Sequence, residues 1–227
     1  QQGRIVGFEE KPRHGSPPRS PFNPEMVSAS MGIYIFNTPV LLRALLEDAA
    51  CESSTHDFGR DILPRWLDRA RVVAYDFRDL NDKKVSYWRD VGTLDAYYEA
   101  NMDLVAVTPE FNLYDRNWPI RTHQPQQPPA KFVFAQVGRR MGIALDSIVS
   151  AGCIISGGRV IRSLLSPGVR VNSYSEVENS ILLHNVEIGR YSRIRNAIID
   201  TGTKIPEGSL IGFDPEQDRA RGYHITE

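Results

Sequence analysis

"SIVSAGCIISGGRVIRSLLSPGVRVNSYSEVENSILLHNVEIGRYSRIRNAIIDTGTKIPEGSLIG", residues 147–212, decides the fold of the second half of this chain. Written in rows of 17, one column reads Ile148, Leu165, Leu182, Ile199. Six residues on, a second reads Ile154, Val171, Ile188, Ile205, and six further a third reads Val160, Val177, Ile194, Ile211. Each row thus holds three short segments with one aliphatic apiece, the hexapeptide signature of a parallel β-helix. Three strands make one triangular coil, the aliphatic points inward, and stacked coils bring like columns together. A column of Ala151, Gly168, Asn185 and Gly202 suits a corner that needs left-handed backbone. Another of Gly158, Ser175, Ser192 and Ser209 is uniformly small and predicts tight stacking. Such a solenoid has two open ends, each with unpaired backbone groups. Pro206 and the polar tail after Gly212 are the candidate cap for one of them. His184 is the only histidine within the coils, and a lone turn histidine reads as solvated, which argues against an acyltransferase.

Upstream, residues 108–131 hold five prolines and few aliphatics, which excludes a packed helix or a central strand. They read as an extended connector pinned by Tyr114 and Trp118, within a linker spanning 108–144. The remaining divisions are 1–107 and 145–227. In the first, "ASMGIYIF" (29–36) and "RVVAYDF" (71–77) read as strands. Between them lie two helices: "TPVLLRALLEDAA", with Thr38 as N-cap and Pro39 at the first helical position, and "HDFGRDILPRWLDRA". Another helix follows Thr93. Strands alternating with helices argue an α/β layer. "GRIVGFEEKP" reads as a strand with no lead-in, so the sequence is read as cut upstream of Gln1.

Composition excludes several classes. Net charge is −1, so bulk attraction to nucleic acid or to a membrane surface is not expected. No apolar run approaches the ~18 residues of a membrane span, and no signal peptide is read at the start. Two distant cysteines, Cys51 and Cys153, suit a reducing cytoplasm rather than a disulfide scaffold.

The loops at the strand ends carry Glu10, Lys11, Ser30, Asp57 and the run Trp88–Arg89–Asp90. One lysine and several carboxylates, with no nucleophile–base pair nearby, suit phosphate chemistry, where catalysis is mainly positioning and charge neutralisation. Each residue also has a plainer reading. Asp90 could be a helix-start carboxylate, Trp88 core, Lys11 a surface lysine before a proline, and Asp57 the N-cap of the helix that follows.

In order, "FEEKP", "SMGIYIF", "HDFGRDILP", "YWRDVGT", "YDRNWPI", "PPAKF" and "PEG" resemble bacterial ADP-glucose pyrophosphorylase, glucose-1-phosphate adenylyltransferase, over its C-terminal portion. The resemblance covers nearly the whole chain; "EKP" alone is common to most sugar nucleotidyltransferases. It implies a partial, Rossmann-like nucleotidyltransferase sheet domain followed by a left-handed parallel β-helix of the hexapeptide type. It implies joining of ATP to glucose 1-phosphate with Mg²⁺ as cofactor, release of pyrophosphate, and a place in glycogen or starch synthesis. It also implies a homotetramer controlled by small anionic allosteric effectors. Carried over by position, Lys11 neutralises the sugar phosphate and Glu10 accepts from sugar hydroxyls. Ser30, Asp57 and Phe58 line the sugar pocket, Trp88 walls it, and Asp90 holds the metal. Arg89 orients neighbouring carboxylates, and Gly92 lets the backbone approach. The family's Gly-rich nucleotide loop and second metal carboxylate lie upstream of these motifs, so this chain alone is expected to be inactive. The place of an activator-site arginine is taken by Thr201. Two other readings stay open. One is another sugar-1-phosphate nucleotidyltransferase, since the base is read upstream; the other is a non-catalytic regulatory or scaffold subunit, against which Lys11 and Asp90 argue.

Overall fold

A computed structural model describes residues 3–12, 19–20, 23–78, 86–136 and 140–226. The chain forms two compact units, one ending at Trp88 and the other beginning at Arg89.

In the first unit a short antiparallel pair joins β1 (Arg19–Ser20) to β2 (Asn23–Val27). Helix α1 (Thr38–Ala49) has Asn37, not Thr38, as its N-cap, and Asn37 makes no side-chain cap bond. The nucleating geometry comes from Pro39, whose fixed φ suits the first turn. The expected second helix is shorter and tighter at its start: a π-helical turn, Phe58–Ile62, runs into α2 (Leu63–Trp66). Ala44 of α1 packs on Ile62 and Trp66, with Val40, Phe58 and Ala70 around them. "GRIVGF" meets "RVVAYDF" through Ile5 N–H to Val72 O (3.0 Å) and Ala74 N–H to Gly3 O (2.7 Å). The expected strand 29–36 does not form and has no sheet partner among the described residues; Gly32 bends it at φ 70°. Its Ile33 and Ile35 face outward while Tyr34 and Phe36 pack against Phe58.

The second unit opens with α3 (Leu94–Asp103), capped by Thr93, whose side chain accepts from Ala96 N–H. The solenoid follows, built of three all-parallel faces. One face stacks β7 (Ile148–Val149), β10 (Leu164–Leu165), β13 (Ile181–Leu182) and β16 (Ile198–Ile199). The second stacks β3 (Lys131–Val133), β8 (Ile154–Ser156), β11 (Arg170–Val171), β14 (Glu187–Ile188) and β17 (Lys204–Ile205). The third stacks β6 (Ile143–Leu145), β9 (Arg159–Ile161), β12 (Glu176–Glu178), β15 (Arg193–Arg195) and β18 (Leu210–Ile211). A hairpin of β4 (Ala135–Gln136) and β5 (Arg140–Met141) interrupts the chain between β3 and β6. Because β3 pairs with β8, the solenoid reaches upstream to Lys131, inside the segment read as linker.

The columns are as the spacing predicts from Leu165 onward, but the first coil differs. Leu165 pairs with Val149, not Ile148, and Val171 with Ile155, not Ile154. Ile155 is fully buried. The corner after β8 is one residue short: Ser156 alone stands where the next coil has Asn172 and Ser173. A fixed period of 17 therefore slips by one upstream of that corner. The left-handed corner column slips with it, to Gly152 instead of Ala151, above Gly168, Asn185 and Gly202.

Two serine ladders tie the coils. Ser192 Oγ accepts from Ser209 N–H (3.2 Å) and donates to Pro206 O (2.8 Å), and Ser175 Oγ accepts from Ser192 N–H (3.3 Å). The second runs Ser147, Ser163, Ser180, each hydroxyl accepting the amide of the next coil. After Gly212 the tail does cap the solenoid. Helix α4 (Pro215–Ala220), N-capped by Asp214, brings buried Asp218 onto Gly212 N–H (2.8 Å), and Arg221 donates to Leu210 O (2.8 Å). Phe213 sits under the guanidinium groups of Arg193 and Arg195.

Ser192 is fully buried, so Ser192→Ala strips the part-buried Ser209 amide of its partner, while Pro206 O keeps the Ser209 hydroxyl. The expected loss is ~1–3 kcal/mol. Ser209→Ala, one coil nearer solvent, costs less. Urea midpoints of the two variants check the order.

Candidate active site

The loop before the π-helical turn is held by two carboxylates. Asp48, buried at the end of α1, accepts from Ser54 Oγ (2.6 Å) and Arg65 Nη1 (3.2 Å) and meets His56 Nδ1 (2.8 Å). Asp61 accepts from Thr55 Oγ1 (2.6 Å) and from the amides of Thr55 and Asp57. His56 takes a left-handed backbone (φ 60°), a strained state for a non-glycine residue that these bonds compensate. The Ser54 and His56 bonds hold the Asp48 carboxyl below its ordinary range, and the Thr55 bond does the same for Asp61.

The fixed loop presents Asp57 and Phe58. Asp57 Oδ1 accepts from Arg60 N–H (2.8 Å), so it is the N-cap of the turn. The carboxylate of Glu10 lies against Gly59, where any side chain would collide with it, and Phe8 closes in from the same side. Gly59 thus lets the Glu10 carboxylate approach the turn closely, and a side chain here would displace that carboxylate. Phe58 stacks on Tyr34, ring centroids 5.8 Å apart, and Tyr34 Oη bonds Ser30 Oγ at 2.9 Å. Glu10, Ser30, Asp57 and Phe58 are therefore joined in one constellation within the first unit. Lys11 follows Glu10 at φ 48°, exposed, with no hydrogen bond or ion pair to a described residue. Its ammonium is free to meet an anion.

Trp88 is exposed and makes no hydrogen bond or ring contact with these residues. Asp90 belongs to the second unit. Its Oδ1 accepts from Gly92 N–H (3.0 Å), and its other oxygen has no partner among the described residues. Arg89 does meet a carboxylate, bonding Glu99 of α3 at 2.5 Å. No group of three His, Cys, Asp or Glu side chains gathers as a metal cage among the described residues.

Two features escaped the sequence reading. Tyr34 links Ser30 to Phe58, and the period-two series Ser30, Gly32, Tyr34, Phe36 was its signal. The Asp48 cluster has no local signal, because Arg65 comes from 17 residues away. A cavity of about 360 Å³ beside that cluster, lined by Cys51, Ile62, Arg65 and Trp66 among others, touches none of the sequence-predicted residues. Cys51 and Cys153 are both free, and no helix among the described residues is long and apolar enough to cross a membrane.

Asp48→Asn is expected to melt below the parent at neutral pH. A depressed carboxyl stabilises the fold fully above its ordinary value of 3.8, and that contribution fades as pH falls through the lower folded value. The gap between the two melting midpoints should therefore close in acid. A gap independent of pH would show that Asp48 acts by packing alone.

Residues 1–106 match the nucleotidyl transferase family model, and residues 128–227 match the model described as GlmU-like, C-terminal hexapeptide. The chain is 59% identical over 226 residues to a glucose-1-phosphate adenylyltransferase of Koribacter versatilis, covering 100% of this chain and 54% of the relative. It is 55% identical to one of Rhodopirellula baltica, covering 99% of this chain and 50% of the relative. It is 53% identical to one of Shewanella sp. strain ANA-3, covering 99% and 53%. The chain thus spans about half the length of the curated relatives it matches. With such identity along both units, and with the two domain types in this order, the chain belongs to the glucose-1-phosphate adenylyltransferase family.

Proposed function

We propose that in the whole protein this chain serves transfer of an adenylyl group from ATP to glucose 1-phosphate, giving ADP-glucose and pyrophosphate for glycogen synthesis. The constellation of Glu10, Ser30, Asp57 and Phe58 carries the reading. It combines a carboxylate, a hydroxyl and an aromatic face, the groups that recognise a sugar, with the free ammonium of Lys11 adjoining. Glu10 accepts from sugar hydroxyls and Lys11 neutralises the sugar phosphate as a compact point charge. Trp88 walls the pocket.

Asp90 is the chain's ligand for Mg²⁺. Its exposed carboxylate with one free oxygen fits a cation that takes one or two protein carboxylates and otherwise water and phosphate. When bound, the ion supplies neutralisation of the charge that develops on the transferred phosphate. Two free cysteines support a reducing cytoplasm as the place of action. The family resemblance supports a homotetramer under control of small anionic effectors.

Asp90→Asn in the full-length protein should lower turnover by about two decades or more with little change in melting point. Near-normal turnover would remove Asp90 from the site. Lys11→Ala should raise KM for glucose 1-phosphate by roughly one to two decades, since a charge-assisted hydrogen bond made in ground and transition states alike falls on KM. KM for ATP should move far less; an equal rise for both substrates would assign Lys11 a structural role.

A further inference from the structure

Helix α3 lies on the solenoid with none of its residues fully buried. Beyond its last turn a cavity of about 340 Å³ is lined by Met102, Val105, Ala106, Val107, Asp146 and Arg162. Packing alone therefore holds the helix loosely. The tie is polar: Tyr98 Oη donates to Asn179 O at 2.6 Å. That carbonyl belongs to a rigid corner. Asn179 has a left-handed backbone (φ 44°) and donates its amide to Ile161 O (3.1 Å). Its side chain accepts from Arg162 Nε (2.9 Å), and Arg162 also bonds Glu178 (3.0 Å).

At its other end α3 reaches Asp90 by two routes. Glu99, the neighbour of Tyr98, holds Arg89, which precedes Asp90. Thr93 caps the first turn, and Gly92 just before it donates to Asp90 Oδ1. Asp90 is thus flanked in the chain by Arg89 and Thr93, each bonded to α3, while its carboxylate is held by the Gly92 amide between them, and α3 is anchored through Tyr98.

We propose that Tyr98 is a positioning residue for nucleotidyl transfer: its bond to Asn179 O fixes α3 and thereby the aim of the Asp90 carboxylate. The proposal rests on the reading of Asp90 given above. Arg162 is the brace of the anchor point, so the solenoid corner and the Asp90 loop form one mechanical line.

The test is Tyr98→Phe in the full-length protein, which removes the hydroxyl and keeps the ring. Hydrogen exchange at the amides of Gly92 and Ala96 should speed up about three- to tenfold, the worth of one hydrogen bond, with the strands β9 to β15 unchanged. The Mg²⁺ concentration for half-maximal turnover should rise by a similar factor, with KM for glucose 1-phosphate constant within about twofold. On an Asp90→Asn background the second substitution should add less than about twofold, because both act on one interaction. Arg162→Met should reproduce the pattern more weakly with Tyr98 intact. Unchanged exchange, or exchange that rises without any change in Mg²⁺ dependence, would overturn the proposal while leaving Asp90→Asn inactive. Wild-type turnover for Asp90→Asn would instead defeat the functional reading and this role for Tyr98 together.

Discussion

Every strand of the solenoid is two or three residues long, and its ladder bonds run to strands of neighbouring coils. No coil can satisfy its own backbone. Inter-coil register is therefore the constraint on which the second unit depends. It places Val160, Val177, Ile194 and Ile211 in one column inside the prism, and it places Ser175 below Ser192 where each hydroxyl can serve the next amide. Buried serines are tolerable only because the register supplies them partners at every step. The corner carrying Asn179 is fixed by the same stacking, through Arg162 of the preceding coil.

The first unit obeys a different logic. Its helices meet over a small core of Ala44, Ile62 and Trp66. A core of this size is marginal, and much of the local order comes from charge and hydrogen bonding instead. Asp48 and Asp61 each bind the loop from Ser54 to Asp57 and oblige His56 into a left-handed state. Asp57 and Phe58 then sit where backbone is fixed rather than where the core is deepest.

What the sequence discloses follows from how local each cause is. The period along residues 165–211 is visible because each coil repeats the same physical problem. The slip at Ser156 was invisible because one deleted corner residue leaves an aliphatic in either frame: Ile154 or Ile155, Ile148 or Val149. The cap of α3 was legible at Thr93, where side chain and spacing agree, whereas Asn37 caps α1 without a side-chain bond and leaves no mark. Glu10 and Asp57 could be named from motifs, but the approach of Glu10 to Gly59 depends on the path of the chain between them. The segment 29–36 looked like a buried strand by composition, yet Ile35 is almost wholly exposed, because apolar content does not state which neighbour covers it.

A stack of near-identical parallel coils is also a template for its own kind, since its last strand offers the same pattern of donors and acceptors that each earlier strand offered. Helix α4 answers this. Asp218 takes the Gly212 amide and Arg221 takes the Leu210 carbonyl, so a charged helix occupies the groups to which an incoming chain would pair. The Asp218 carboxylate is buried and would repel an unpaired carbonyl brought against it. The solenoid thus carries a chain terminator, in the polymer chemist's sense, over the outer edge of β18.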